Sequence, residues 1–190
     1  MTERLIRHWV CGGFLAGILL LILLPVITRD WSWAVLAVFV QLPIYMLHQF
    51  EEHDNDRFRT FVNRTVGGGR EVLSPLAVFI INVPGVWGVI AVSFYLAALV
   101  SSGYGLIAVY LTLVNAIVHI IPAALFRSYN PGLVTAVLLF LPASIFGIAT
   151  LQQTGQVDGF HHLIGILIAV GIHVAIVAYV KTRRSGPQNL

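Results

Sequence analysis

WVCGGFLAGILLLILLPVI, from Trp9 to Ile27, carries no charged side chain and is long enough to cross a bilayer as one helix, which takes roughly 20 mostly apolar residues. Arg4 and Arg7 ahead of it look like the basic region of a signal peptide. The run nevertheless ends in Pro25, Arg29, Asp30 and Trp31 without a small-residue cleavage pattern, so it reads as a retained first helix. Similar runs recur along the chain, and spans are expected at about 8–28, 33–52, 76–100, 104–126, 131–150 and 159–181. The 190 residues are 58% hydrophobic and only 10% charged, with a mean hydropathy of +0.88. A soluble domain of this size carries about a quarter charged residues. The expectation is one domain, 1–190: an all-α integral membrane protein, a bundle of about six transmembrane helices.

Orientation follows from Lys and Arg. Arg4 and Arg7 precede the first span, and Arg57, Arg59, Arg64 and Arg70 follow the second. Arg127 follows the fourth, and Lys181, Arg183 and Arg184 follow the sixth. Six spans put all of these on one side and leave Arg29 opposite, so both termini are expected in the cytoplasm, at the cell membrane. A net charge of +3 therefore suggests contact with anionic lipid headgroups rather than nucleic acid. The single cysteine, Cys11, excludes an intrachain disulfide.

The cytoplasmic loop 53–75 has its own pattern. Phe58, Phe61, Val62, Thr65 and Val66 share one helical face, with Arg57, Arg59 and Arg64 largely elsewhere, which predicts an amphipathic interfacial helix. Asp54-Asn55-Asp56 starts it, and Gly67-Gly68-Gly69 reads as a helix stop rather than a phosphate loop. Pro43, Pro84, Pro122 and Pro142 fall inside spans and permit kinks. Asn130-Pro131 reads as an N-cap and first helical position. Gly13 and Gly17 give a small-xxx-small spacing that favours close helix packing.

Ionisable groups inside spans are costly, so those present point to function. The second span ends His48-Gln49-Phe50-Glu51-Glu52-His53. On a helical wheel Glu51 and Glu52 flank His48 at about −60° and +40°, with Gln41, Tyr45 and Asn55 near the same stripe. A divalent cation would offset the repulsion between two such carboxylates. Asn115 and His119 share a face of the fourth span, His173 lies in the sixth, and Asn82 lies in the third. All fall in the cytoplasmic third. The candidate metal ligands are thus His48, Glu51, Glu52, His119 and His173. His8 and His53 read as interfacial, while His161 and His162 start the last span on the opposite side.

His48-Gln49-Phe50-Glu51-Glu52 resembles the signature of the HXXEE family of membrane proteins. That family is also marked by a further histidine, which His119 fits, and by a Tyr-x-Pro-Gly motif, which Tyr129-Asn130-Pro131-Gly132 matches. The resemblance implies little mechanism beyond membrane-bound enzymatic activity. Neither the His-Glu-x-x-His motif of helical zinc proteases nor the inverzincin pattern is present.

The expectation for function is a metal-dependent membrane hydrolase acting on a lipid or other hydrophobic substrate near the cytoplasmic leaflet. Zinc is favoured slightly over iron. Glu51, Glu52 and Tyr129 are the candidate catalytic groups, with the interfacial helix covering the site. The alternatives are a metal-dependent oxidase or hydroxylase, a proton or metal-ion transporter using the same residues, and a structural or assembly factor whose polar groups serve only as packing contacts.

Overall fold

The structure is a computed structural model that describes residues 2–185. Its described residues form helices and no strands: α1 (Thr2–Ile27), α2 (33–53), α3 (Arg57–Thr65), α4 (Pro75–Leu99), α5 (Ser102–Phe126), α6 (Leu133–Gln152) and α7 (Gly159–Ser185). Six helical runs are long and apolar enough to cross a membrane, the second of them, Trp33–Thr65, carrying α2 on into the short α3. Large apolar side chains cover the outside of the bundle, including Val26 at 75% exposure, Leu99 at 78% and Leu125 at 74%. Water-soluble monomers rarely expose so much contiguous apolar surface.

Local chemistry sets the helix ends. Ser32 Oγ accepts from Val35 N and Ser74 Oγ from Ala77 N, each satisfying an otherwise orphaned first-turn donor. Prolines account for the irregular turns. The Pro43 ring cannot donate to the Phe39 carbonyl four residues back, and α2 is interrupted at Val40. Around Pro84 the chain widens into a π-helical stretch, Ile81–Trp87, and just before Pro142 into another, Ala136–Phe140. Such bulges absorb a missing N–H and re-aim the neighbouring side chains.

Close packing relies on glycine. A Cβ on Gly17 would lie 3.0 Å from Met46 Cβ and Pro43 O, and one on Gly13 would lie 2.9 Å from Trp87. The Gly13/Gly17 spacing thus brings α1 against α2 and α4, and Phe14 stacks on Phe50 at 4.2 Å. α5 is the central helix, with Leu106, Ala108, Val109, Leu111 and Ala116 fully buried. Gly147 seats α6 against Val109, and Gly165 seats α7 against Leu106 and Tyr110.

α3 lies across the end of the bundle, its Phe58, Phe61 and Val62 packed against Trp9, Val72, Leu73 and Val180. The turn into it places Asn55 (φ 53°) and Asp56 (φ 63°) in left-handed conformations. Asn63 holds the return strand of chain: its Oδ1 accepts from Val72 N (3.0 Å) and Leu73 N (2.9 Å), and its Nδ2 donates to Leu73 O (3.0 Å). The glycines after it turn the chain at positive φ, 63° at Gly68 and 89° at Gly69.

Two sequence expectations need correction. His53 is not interfacial but buried (6% exposed), because α3 folds back over it and Trp9 of α1 covers its other side. Asn130 does not cap α6. That helix begins at Leu133 behind Gly132 (φ 98°), and Asn130 turns instead toward α5.

Candidate metal centre

The geometry follows from three helices meeting at one end of the bundle. α2 presents His48 and Glu52 one turn apart, and α5 presents His119 from the facing side. All three are buried. Their ligand atoms lie within 4.8 Å of one another, a grouping that can hold a metal ion. Glu52 Oε2 is 3.5 Å from His48 Nε2, and Glu52 Oε1 is 3.5 Å from His119 Nε2. His53 adds a third imidazole, its Nε2 3.1 Å from Glu52 Oε2. Yet neither His48 Nε2 nor His53 Nε2 has a hydrogen-bond partner, although both are buried. Buried polar atoms are normally paired, so this cluster calls for explanation.

The tautomers explain it. Glu51, the other carboxylate of the motif, points to α6. It accepts from Thr135 N (2.7 Å), Val134 N (3.1 Å), Tyr129 Oη (2.9 Å) and the Thr135 hydroxyl. A hydroxyl has one proton. Since Thr135 gives it to Glu51, the 2.8 Å contact between Thr135 Oγ1 and His48 Nδ1 must use the proton on Nδ1. His48 therefore turns a lone pair on Nε2 toward Glu52.

The same logic fixes His119. Asn130 Nδ2 donates to His119 O (2.9 Å), which orients the amide so that Oδ1 accepts from His119 Nδ1 (2.7 Å). As a neutral imidazole, His119 too presents an unprotonated Nε2. With both rings neutral, two imidazole lone pairs and a carboxylate converge, and the one further ring nitrogen beside them is His53 Nε2, 3.1 Å from Glu52 Oε2. A cation resolves that arrangement, and ring N–H groups held by outer partners are the usual support for metal-ligating histidines.

The turn between α5 and α6 is shaped by the same two rings. Gly132 sits at φ 98°, and a Cβ there would lie 2.8 Å from Cε1 of both His48 and His119. Phe140, aimed inward by the α6 bulge, packs on the His48 ring at 4.1 Å. Tyr129 is half exposed at the bundle end, and burial, then its hydrogen bond to Glu51, pushes its phenol above the usual value. It therefore stays protonated and remains a donor.

Of the five candidate ligands, His48, Glu52 and His119 come together, whereas Glu51 faces away from the group. His173 Nδ1 donates to Ala169 O (2.8 Å), and the residue lines a cavity of about 320 Å³ that Glu52, His53 and His119 also border. Asn115 contacts Tyr45 Oη. Asn82 Oδ1 accepts from Gln49 Nε2 (2.9 Å), and Gln49 in turn accepts from Trp87 Nε1 (2.7 Å), tying α2 to α4. His53, Asn130 and Thr135 were not recognised as site residues from sequence. For Thr135 the available signal was a polar group in the first turns of an apolar span; for His53, burial by α3 is not a local property. At the far end His162 contacts Tyr110 Oη (2.7 Å) and Gln152, and His161 contacts Asp158 (2.6 Å), well away from the cluster.

Thr135→Val tests the relay from Glu51 to His48. Metal affinity, measured by competition with a chelator, is expected to fall about 10–100-fold, as for other outer-partner losses at metal sites. Unchanged affinity would mean that the Thr135 contact does not orient the ring.

Neither a curated protein nor a solved structure matches this chain. A family profile does: it matches residues 39–147, the stretch that carries His48, Glu51, Glu52, His119 and Tyr129 to Gly132. The chain belongs to the family described as protein of unknown function with HXXEE motif.

Proposed function

We propose that this chain is a multi-pass membrane protein with both ends cytoplasmic, and a metal-dependent enzyme acting on a lipid or other hydrophobic substrate near the cytoplasmic leaflet. The apolar outer surface supports insertion. The basic residues gathered at the α1 start, α3 and the α7 end support the orientation. The observation that carries the catalytic reading is the meeting of the buried His48, His119 and Glu52, with His48 Nε2 left without a hydrogen-bond partner, at the wall of an apolar cavity.

Roles divide accordingly. His48, Glu52 and His119 hold the metal. Glu51 and Tyr129 position His48 through Thr135, and Glu51 is too fully engaged to act as a base. His173, its Nδ1–H tied to Ala169 O, offers Nε2 as the proton acceptor in the cavity. Two histidines and one glutamate suit zinc with a position left open for water or substrate. Bound there, the metal supplies Lewis acidity and an acidified water for hydrolysis. The same donor set is the two-histidine, one-carboxylate triad of non-haem iron enzymes, which supports oxidation of a hydrophobic substrate as the second reading.

The test is elemental analysis of the full chain purified in detergent, aerobically and anaerobically. One zinc per chain in both preparations supports hydrolysis; one iron, retained anaerobically, supports oxidation. No metal in either would end the proposal. Incubating total lipid extract with loaded wild type and with His119→Ala should then show a product that only the wild type forms.

A further inference from the structure

The cavity beside the cluster has a shape and a charge that narrow its occupant. α5 and α7 run in the same direction, and Gly165 against Leu106 and Tyr110 sets their register. Carried along both helices, that register places His119 level with Val177. Lys181 then lies one turn, about 6 Å, toward the bundle end, and Leu111 about 12 Å the other way. All four residues line the cavity. Its deep part is walled by apolar side chains such as Val86, Leu111 and Ile172, while its near end carries the exposed Lys181.

Part of the cavity wall is itself exposed on the side of the bundle. Val118 of α5 and Val177 of α7 line the cavity and are 48% and 52% exposed. Both exposed valines lie on the apolar flank of the bundle, next to the cavity. At about 320 Å³ the space is at the low end for small-molecule pockets, enough for one hydrocarbon chain of medium length and too little for two.

From these features we propose that the site takes a single-chain lipid whose anionic head is joined to the chain through a short ester-bearing linker, a lysophospholipid-type molecule. It enters sideways between α5 and α7. The head group pairs with Lys181, whose flexible four-carbon arm reaches toward the site. The linker lies against Glu52, His119 and His173, and the chain fills the deep apolar part. This rests on the reading of the cluster as a catalytic metal site only for the fate of the ester; occupancy of the cavity needs no metal.

The test uses the full chain in a non-ionic detergent, with native mass spectrometry as readout. The probes are decanoyl lysophosphatidate, monodecanoylglycerol and didecanoyl phosphatidate, whose chains match the depth of the cavity. One lysophosphatidate per chain is expected, bound about fivefold more tightly than the neutral monoacylglycerol because of one basic residue at the head group. Lys181→Gln should erase that difference without weakening monoacylglycerol. Val177→Trp, at an exposed position that does not threaten folding, should weaken both single-chain probes at least tenfold. Binding should persist in Glu52→Gln, which is expected to lose its metal, whereas wild type that binds the lipid but holds no metal overturns the catalytic reading alone. Equal binding of the two-chain phosphatidate, or no response to either Lys181→Gln or Val177→Trp, overturns the present proposal even where metal is bound.

Discussion

Glu52→Gln is expected to abolish stoichiometric metal binding and, at the same time, to make the metal-free protein more stable than metal-free wild type. The two effects have one origin. Glu52 is buried 3.1–3.5 Å from the Nε2 atoms of His48, His119 and His53, and those of His48 and His53 have no hydrogen-bond partner. Without metal, each unsatisfied buried group costs roughly 1–3 kcal/mol. A glutamine amide supplies N–H donors to the imidazole lone pairs and removes the buried charge, so a gain of about 1–2 kcal/mol is expected. With metal the order reverses. A ligand present at a thousand times its dissociation constant stabilises the native state by about 4 kcal/mol, and only wild type can collect that. Thermal unfolding in detergent, with chelator and with added zinc or iron, reads both arms. A glutamine variant that keeps one metal per chain would sink the assignment of Glu52 as a ligand.

The second large effect is expected from Gly132→Ala, the smallest possible change in the loop. At φ 98° an alanine is strained whatever surrounds it, at about 1–2 kcal/mol. Here its methyl group would also stand 2.8 Å from Cε1 of both imidazoles. Neither ring can yield easily, because His48 is held by Thr135 and Phe140 and His119 by Asn130. Metal affinity is therefore expected to fall about 100-fold or more, at the upper end of outer-partner effects. Gly68→Ala is the control. It has the same sign of φ (63°) with nothing within 4 Å of the added methyl, so it should cost backbone strain and leave metal affinity unchanged. If chelator competition finds the two variants alike, the two rings do not form the metal site.

Much of this protein is legible in its sequence. The six apolar runs, the amphipathic 57–65 segment and the glycine stop after it all depend on interactions a few residues apart. Periodicity therefore reports them directly. The helix ends shifted little, apart from α1, which begins at Thr2 rather than near residue 8, α7, which runs to Ser185 rather than 181, and α6, which begins at Leu133 beyond the expected Pro131. The prolines were visible too, but their consequence differed: π-helical stretches accompany Pro84 and Pro142. The polar layer was found because an imidazole or carboxylate in an apolar helix is conspicuous. What the individual groups do within that layer was not legible, since Asn115 and Asn82 pair across helices while His173 faces a cavity.

The six apolar runs and the His48–Glu51–Glu52 face were determined by the sequence alone, because both arise from the pitch of a single helix. Which carboxylate meets the imidazoles was decided only by tertiary structure. On the wheel Glu51 and Glu52 stand on either side of His48 at similar offsets, so the helix itself does not distinguish them. Packing does. One side of α2 faces α5, which sets Glu52 against His119, and the other faces the first turn of α6, whose N–H groups and Thr135 take Glu51.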